Sequence, residues 1–131
     1  MWVFNKDGFF SVVQHRDDPD SVVVRARVRE DLMRACERMG VNGCERTLRN
    51  ADYGFRVTVP RAVWVAYMRF TATDLLDYMN FKAAVHGEPD RDKALLRVWQ
   101  AMSDLQEGRI FDKLDAVRRV FGGSGSADKT E

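Results

Sequence analysis

Three arginines at alternate positions, Arg25, Arg27 and Arg29, are the residues here whose spacing most directly suggests a recognition chemistry. On a strand, alternate side chains project from one face, and Arg34 and Arg38 follow at helical positions close behind. Beside an aromatic residue such as Phe9 or Tyr53, that stripe would hold phosphates or offer guanidinium forks to an acidic protein surface. The plainer reading is a solvated sheet face paired with Glu30, Asp31 and Glu45.

A second group, Asp77, Tyr78, Asn80 and Lys82, gathers titratable and hydrogen-bonding side chains around Phe81. On one helix Tyr78, Lys82 and His86 would stack at spacing four, and a tyrosine–lysine pair moves protons when burial lowers the lysine pKa. No phosphate cradle, nucleophile or second carboxylate accompanies them, so they are expected as a polar cluster of no assigned role, with Asp77 a helix cap, and no catalytic residue is named. His15 with Asp17, Asp18 and Asp20, and His86 with Glu88, Asp90 and Asp92, have the composition of turns and caps and lack HExxH or EF-hand spacing. No metal and no cofactor are expected. Cys36 falls on an apolar helical stripe and reads as a small core residue, Cys44 has no neighbouring base, and their spacing indicates neither a zinc knuckle nor a disulfide framework.

These groups belong to a chain of 131 residues, 45% hydrophobic and 31% charged, a composition that excludes wholesale disorder and suffices for one hydrophobic core. The 21 basic and 20 acidic side chains leave a net charge of +1, so any nucleic-acid contact must be local. Arginine dominates over lysine, which fits planar recognition surfaces and fits a GC-rich genome equally. Apolar runs such as Ala62 to Met68 fall well short of the ~20 residues that cross a membrane, and the opening residues carry no leader pattern. A cytoplasmic location is the expectation.

The elements that must position these residues follow from periodicity. Trp2 to Phe4 and Phe9 to His15 flank Asn5-Lys6-Asp7-Gly8 as a hairpin, and Val22 to Val28 resumes as a third strand after a turn-rich segment. Leu32, Cys36 and Met39 recur at helical spacing, with Glu30 and Asp31 in the first turn and Gly40 ending the helix. Cys44 to Arg49 and Tyr53 to Val59 read as a second hairpin, and Pro60 opens a helix running to about Thr73 that is apolar on nearly every side. Asp77 to His86 predicts a short helix, and a longer one follows Pro89 with Leu95, Val98, Trp99, Met102 and Leu105 on one face. Ile110, Phe111, Leu114, Val117 and Phe121 predict an appended amphipathic helix over 107–121, and Gly122 to Ser126 starts a flexible Gly/Ser-rich tail, 122–131. The fold class is therefore α+β, with a mostly antiparallel sheet of about five strands and three to four C-terminal helices on one side. Residues 1–121 are expected to form a single domain.

Several stretches resemble a family of small uncharacterised proteins from bacteria and their phages. They are Met1 to Phe4, Gly8 to Val13, Arg25 to Arg29, Asp52-Tyr53 with Arg56-Val57 and Val59-Pro60, Tyr78 with Asn80 to Lys82, and Arg97 to Trp99. The resemblance implies a shared fold and an intracellular setting, and transfers no catalytic residue. Leu96 stands where such relatives usually carry histidine, which argues against acid–base chemistry there.

With no assembled chemistry, surplus apolar surface becomes the leading clue. Trp64, Met68 and the stripe from Ile110 to Phe121 offer either a partner surface or docking on the chain's own sheet. The functional expectation is a non-enzymatic protein-binding or regulatory module, with self-association as a variant. A nucleic-acid-binding accessory protein using Arg25, Arg27, Arg29 and Arg34 is the alternative, and a small enzyme around Tyr78, Lys82 and His86 the second.

Overall fold

The structure is a computed structural model that describes residues 1–42, 46–47, 50–79, 81–84, 86–106 and 108. The chain divides into two compact units, Met1–Ala84 and Val85–Glu131, where one domain to residue 121 was expected.

The first unit is built on an antiparallel sheet of four strands, β1 Trp2–Asn5, β2 Gly8–Gln14, β3 Ser21–Ala26 and β5 Phe55–Pro60, with a two-residue segment β4, Arg46–Thr47, at the edge beside β5. The order across the sheet is β1-β2-β3-β5-β4. Alternation decides which side chains face inward: Val3, Phe10, Val12, Val22, Val24 and Val59 are buried on one face. The long polar strand expected over Cys44 to Arg49 reduces, among the described residues, to Arg46 and Thr47, which pair with Arg56 and Phe55.

Two helices cover that face. The first, α1 Arg29–Met39, buries Leu32, Ala35 and Cys36, and Gly40 ends it in the left-handed conformation at φ 66°. Without a Cβ, Gly40 adopts that geometry at little cost and its N–H closes the last turn. The second, α2 Arg61–Phe70, continues through a π-helical turn, Thr71–Leu75. Its inward stripe is Trp64, Tyr67 and Met68, at the i, i+3, i+4 spacing of one helix face, and Val65 and Ala66 point outward.

Two sequence expectations change here. Trp64, expected as a partner contact, is only 4% exposed and stacks obliquely on Tyr67, and Met68 packs against the same core. Neither presents a free surface, because the helix turns its largest rings toward the sheet, where their burial stabilises most. Cys36 is a core residue as read, but it is also joined in a disulfide, which the spacing did not indicate. Cys44, the only other cysteine of the chain, lies outside the described residues.

After α2 a short helix, α3 Phe81–Ala84, replaces the longer one expected from Asp77 to His86. In the second unit α4, Pro89–Gln106, forms where Pro89 predicts it, and none of its residues is buried. The appended helix of Ile110, Phe111, Leu114, Val117 and Phe121 and the tail 122–131 lie outside the described residues.

Candidate binding surface on the sheet

Two polar assemblies stand out in the first unit, one inside it and one on the sheet face turned away from α1 and α2. The inner one locks the first hairpin to both helices. Asn5 Oδ1 accepts from the N–H groups of Asp7 and Gly8 at 2.9 and 3.2 Å, which shapes the turn. Asn5 Nδ2 donates to the Tyr67 hydroxyl at 2.9 Å and to Thr71 Oγ1 at 3.3 Å, and the Tyr67 hydroxyl donates to Asp7 Oδ2 at 3.0 Å. Arg38 Nε donates to both Asp7 carboxylate oxygens at 2.9 and 2.8 Å. Arg34 donates from Nε to the Asp7 carbonyl and from Nη2 to Asp31 Oδ1 at 2.6 Å, and Asp31 Oδ2 accepts from the Phe9 N–H at 3.1 Å.

Asp7 and Asp31 are thus fully buried carboxylates whose hydrogen bonds come from the protein itself. Burial, with the Asp7 charge adding to it, raises the Tyr67 phenol well above its ordinary range, so Tyr67 stays a neutral donor. The buried members, Asn5, Asp7, Asp31 and Tyr67, are each hydrogen-bonded within the protein, which is how a structural lock is built.

The opposite face is assembled differently. The register places Trp2, Ser11, Arg25 and Arg56 in one row across β1, β2, β3 and β5, and Arg46 continues it along the backbone. Phe4 and Phe9 form the adjacent row, stacked at 4.5 Å between centroids, and Trp2 meets Phe9 edge-on at 5.7 Å. Tyr53 lies 6.2 Å from Phe9 and is only 6% exposed, although it is not part of the main core. It is buried by arginines: the Arg25 and Arg27 guanidinium groups sit 4.9 and 4.5 Å from its ring centroid.

The charges on this face are unevenly matched. Arg27 pairs with Asp52 at 2.8 Å, and that hydrogen bond raises its pKa further. Arg25 donates to Ser11 Oγ at 2.7 Å, and Arg56 holds a buried Nε with no hydrogen-bond partner. Arg25 and Arg56 are directly opposite each other on neighbouring strands. Like charges at that register repel, and among the described residues no carboxylate offsets either one.

The sequence-predicted residues are therefore partly regrouped. Arg25 and Arg27 come together on Tyr53, but β3 ends at Ala26, so Arg27 lies in a bend and Arg29 opens α1 instead of extending a strand stripe. Arg34 and Arg38 turn to the inner lock. Trp2, Phe4 and Arg56 also belong to this face; the alternation of β5 signals that Arg56 points away from Val57 and Val59, but only the register puts it opposite Arg25.

Asp77 pairs with Lys6 at 2.5 Å, which lowers its pKa, in place of capping a helix. Tyr78 is fully exposed and precedes α3, so the stacked face of Tyr78, Lys82 and His86 does not form; Asn80 and the side chain of Lys82 lie outside what is described. His86 Nδ1 lies 3.4 Å from Asp92, and Asp18 accepts from the Asp20 N–H and from Ser21 Oγ, turn bonds that lower its pKa. Among the described residues no helix is long and apolar enough to cross a membrane. Comparison with family models, with curated proteins and with solved structures finds no match.

Proposed function

We propose that this chain is a non-enzymatic binding module of a bacterium or phage, whose contact surface is the sheet face carrying Trp2, Phe9, Tyr53, Arg25 and Arg56. The observation that supports it is the Arg25–Arg56 pair. Two guanidinium groups held opposite each other, with no carboxylate between them among the described residues, cost stability, and an anionic partner would offset that cost. The bacterial or phage setting rests on the sequence resemblance. A heparin column tests the reading: the protein is retained and elutes earlier as salt rises, and Arg25→Ala combined with Arg56→Ala abolishes retention. Passage of the native protein straight through the column at low salt would refute it.

A second reading is favoured by α4, whose eighteen residues include none that is buried. Most helical stability in proteins comes from packing an apolar face, and Val98, Met102 and Leu105 are exposed, so this face suits a protein partner or a second copy of the chain. Light scattering tests the self-associating form, which requires a dimer mass that falls to monomer when Val98 and Met102 are both replaced by Asp.

A further inference from the structure

We propose that the anionic partner of this sheet face is single-stranded nucleic acid, with a base stacked on Trp2 and phosphates held by Arg25 and Arg56; this rests on the binding surface proposed above and names its ligand class. Charge alone would suit an acidic peptide equally, and the aromatic rings decide between them. Trp2 is 70% exposed, held edge-on against Phe9, and occupies the same cross-strand row as both arginines. Neighbouring strands are ~4.8 Å apart, so Trp2 lies about 10 Å from Arg25 and about 14 Å from Arg56 across the sheet. That separation lets one strand of a nucleic acid lay a base on the indole while its backbone reaches the guanidinium groups.

A carboxylate gains nothing from the negative face of an indole, whereas every base has a π-face and stacks on it without regard to sequence. A duplex keeps its bases stacked inside, where they offer no free π-face to the exposed Trp2 ring. The pre-ordering of the arginines also fits. Tyr53 fixes Arg25 and Arg27 by stacking, and Ser11 fixes Arg25 by a hydrogen bond, so little side-chain freedom is lost when a phosphate arrives. With a net charge of +1 and two arginines that no carboxylate offsets among the described residues, the contact is short and local. Two phosphates neutralised on a single strand correspond to a salt slope of about −1.4 in logarithmic units.

The test is a fluorescence-anisotropy titration of the full chain against labelled oligothymidylate, the same length of blunt duplex, and labelled polyglutamate. The expected result is binding of the single strand in preference to the other two. Trp2→Ala weakens it by roughly 5- to 150-fold, the range for losing one stacked base, and Trp2→Phe restores most of the loss. Arg25→Ala with Arg56→Ala flattens the salt slope. Trp2 is exposed, so thermal melting of Trp2→Ala is expected to match that of the parent and separates lost binding from lost folding. Polyglutamate binding without oligothymidylate binding overturns the nucleic-acid inference and leaves the anion-binding surface standing. Equal affinity for duplex and single strand also overturns it. Binding of none of the three, together with no retention on heparin, overturns both.

Discussion

Replacing Gly8 by alanine is a sharp probe of the inner lock. Gly8 sits at φ +151°, and a Cβ there would fall inside the carboxyl group of Asp31, far closer than van der Waals contact allows. Asp31 is 1% exposed, so it cannot yield toward solvent without leaving its partners. The backbone geometry costs alanine about 1–3 kcal/mol. Displacing Asp31 then breaks its charge-assisted bond from the Phe9 N–H, about 1.5–3 kcal/mol. The ion pair to Arg34 adds at most about 1 kcal/mol, because the arginine end is more than a third exposed. The total of about 2.5–7 kcal/mol is a large share of the ~5–15 kcal/mol by which domains of this kind are stable.

Urea denaturation of four proteins, the parent, Gly8→Ala, Asp31→Ala and the double variant, reads out the mechanism. With Asp31 truncated, the added methyl has room and Gly8→Ala should cost only its backbone strain. The coupling between the two sites is then at least about 1.5 kcal/mol, with the double variant more stable than the sum of singles predicts. Equal costs of Gly8→Ala in both backgrounds, within about 0.5 kcal/mol, would refute the close approach of Gly8 to Asp31 as the reason for glycine.

Two further outcomes are expected. Tyr67 has its folded-state pKa raised above the ordinary value of 10.0, so the folded state binds more protons than the unfolded chain above that pH; stability is therefore complete below pH 10.0 and declines as pH rises toward the elevated value. Denaturation midpoints from neutral to alkaline pH should show this decline in the parent and a shallower one in Tyr67→Phe, and identical profiles would contradict it. Reducing the Cys36 disulfide should lower stability by about 2–4 kcal/mol, followed as the urea midpoint with and without reductant. Cys36→Ser should then be insensitive to reductant; a reductant effect that persists in it would be inconsistent.

The elements that were legible from the sequence are those in which one local signal decides. The β-branched run from Val22, alternating from Val24, placed β3, Gly40 marked the end of α1, and Pro89 the start of α4. The α+β class with an antiparallel sheet followed from them. What escaped was information carried by pairs far apart in the chain. Asp31 looks like an ordinary acid in a first helical turn, and nothing near it in sequence shows that it accepts from the Phe9 N–H. Asp7 looks like a turn residue, yet it anchors Arg38 and Tyr67. The sequence around Trp64 does not show that its ring is buried, because a helix apolar on several sides does not declare which side meets the sheet.

The candidate surface was legible in part for the same reason. Arg25 with Tyr53 was readable as an arginine beside an aromatic ring, and Arg27 joined them through a bend, not through strand alternation. Arg56 became its neighbour only through strand register, which depends on how β5 returns to β3 after the intervening helix.

The bonds from Asn5 to Tyr67 and Thr71 span 62 and 66 positions of chain. During synthesis the opening turn therefore emerges long before the side chains that complete it, and Asp7 and Asn5 must wait in water for most of the first unit to follow. Closure of this unit is thus a late, all-or-none event governed by distant pairing, and a nascent chain stalled short of Tyr67 would present an unfinished hairpin to chaperones and proteases.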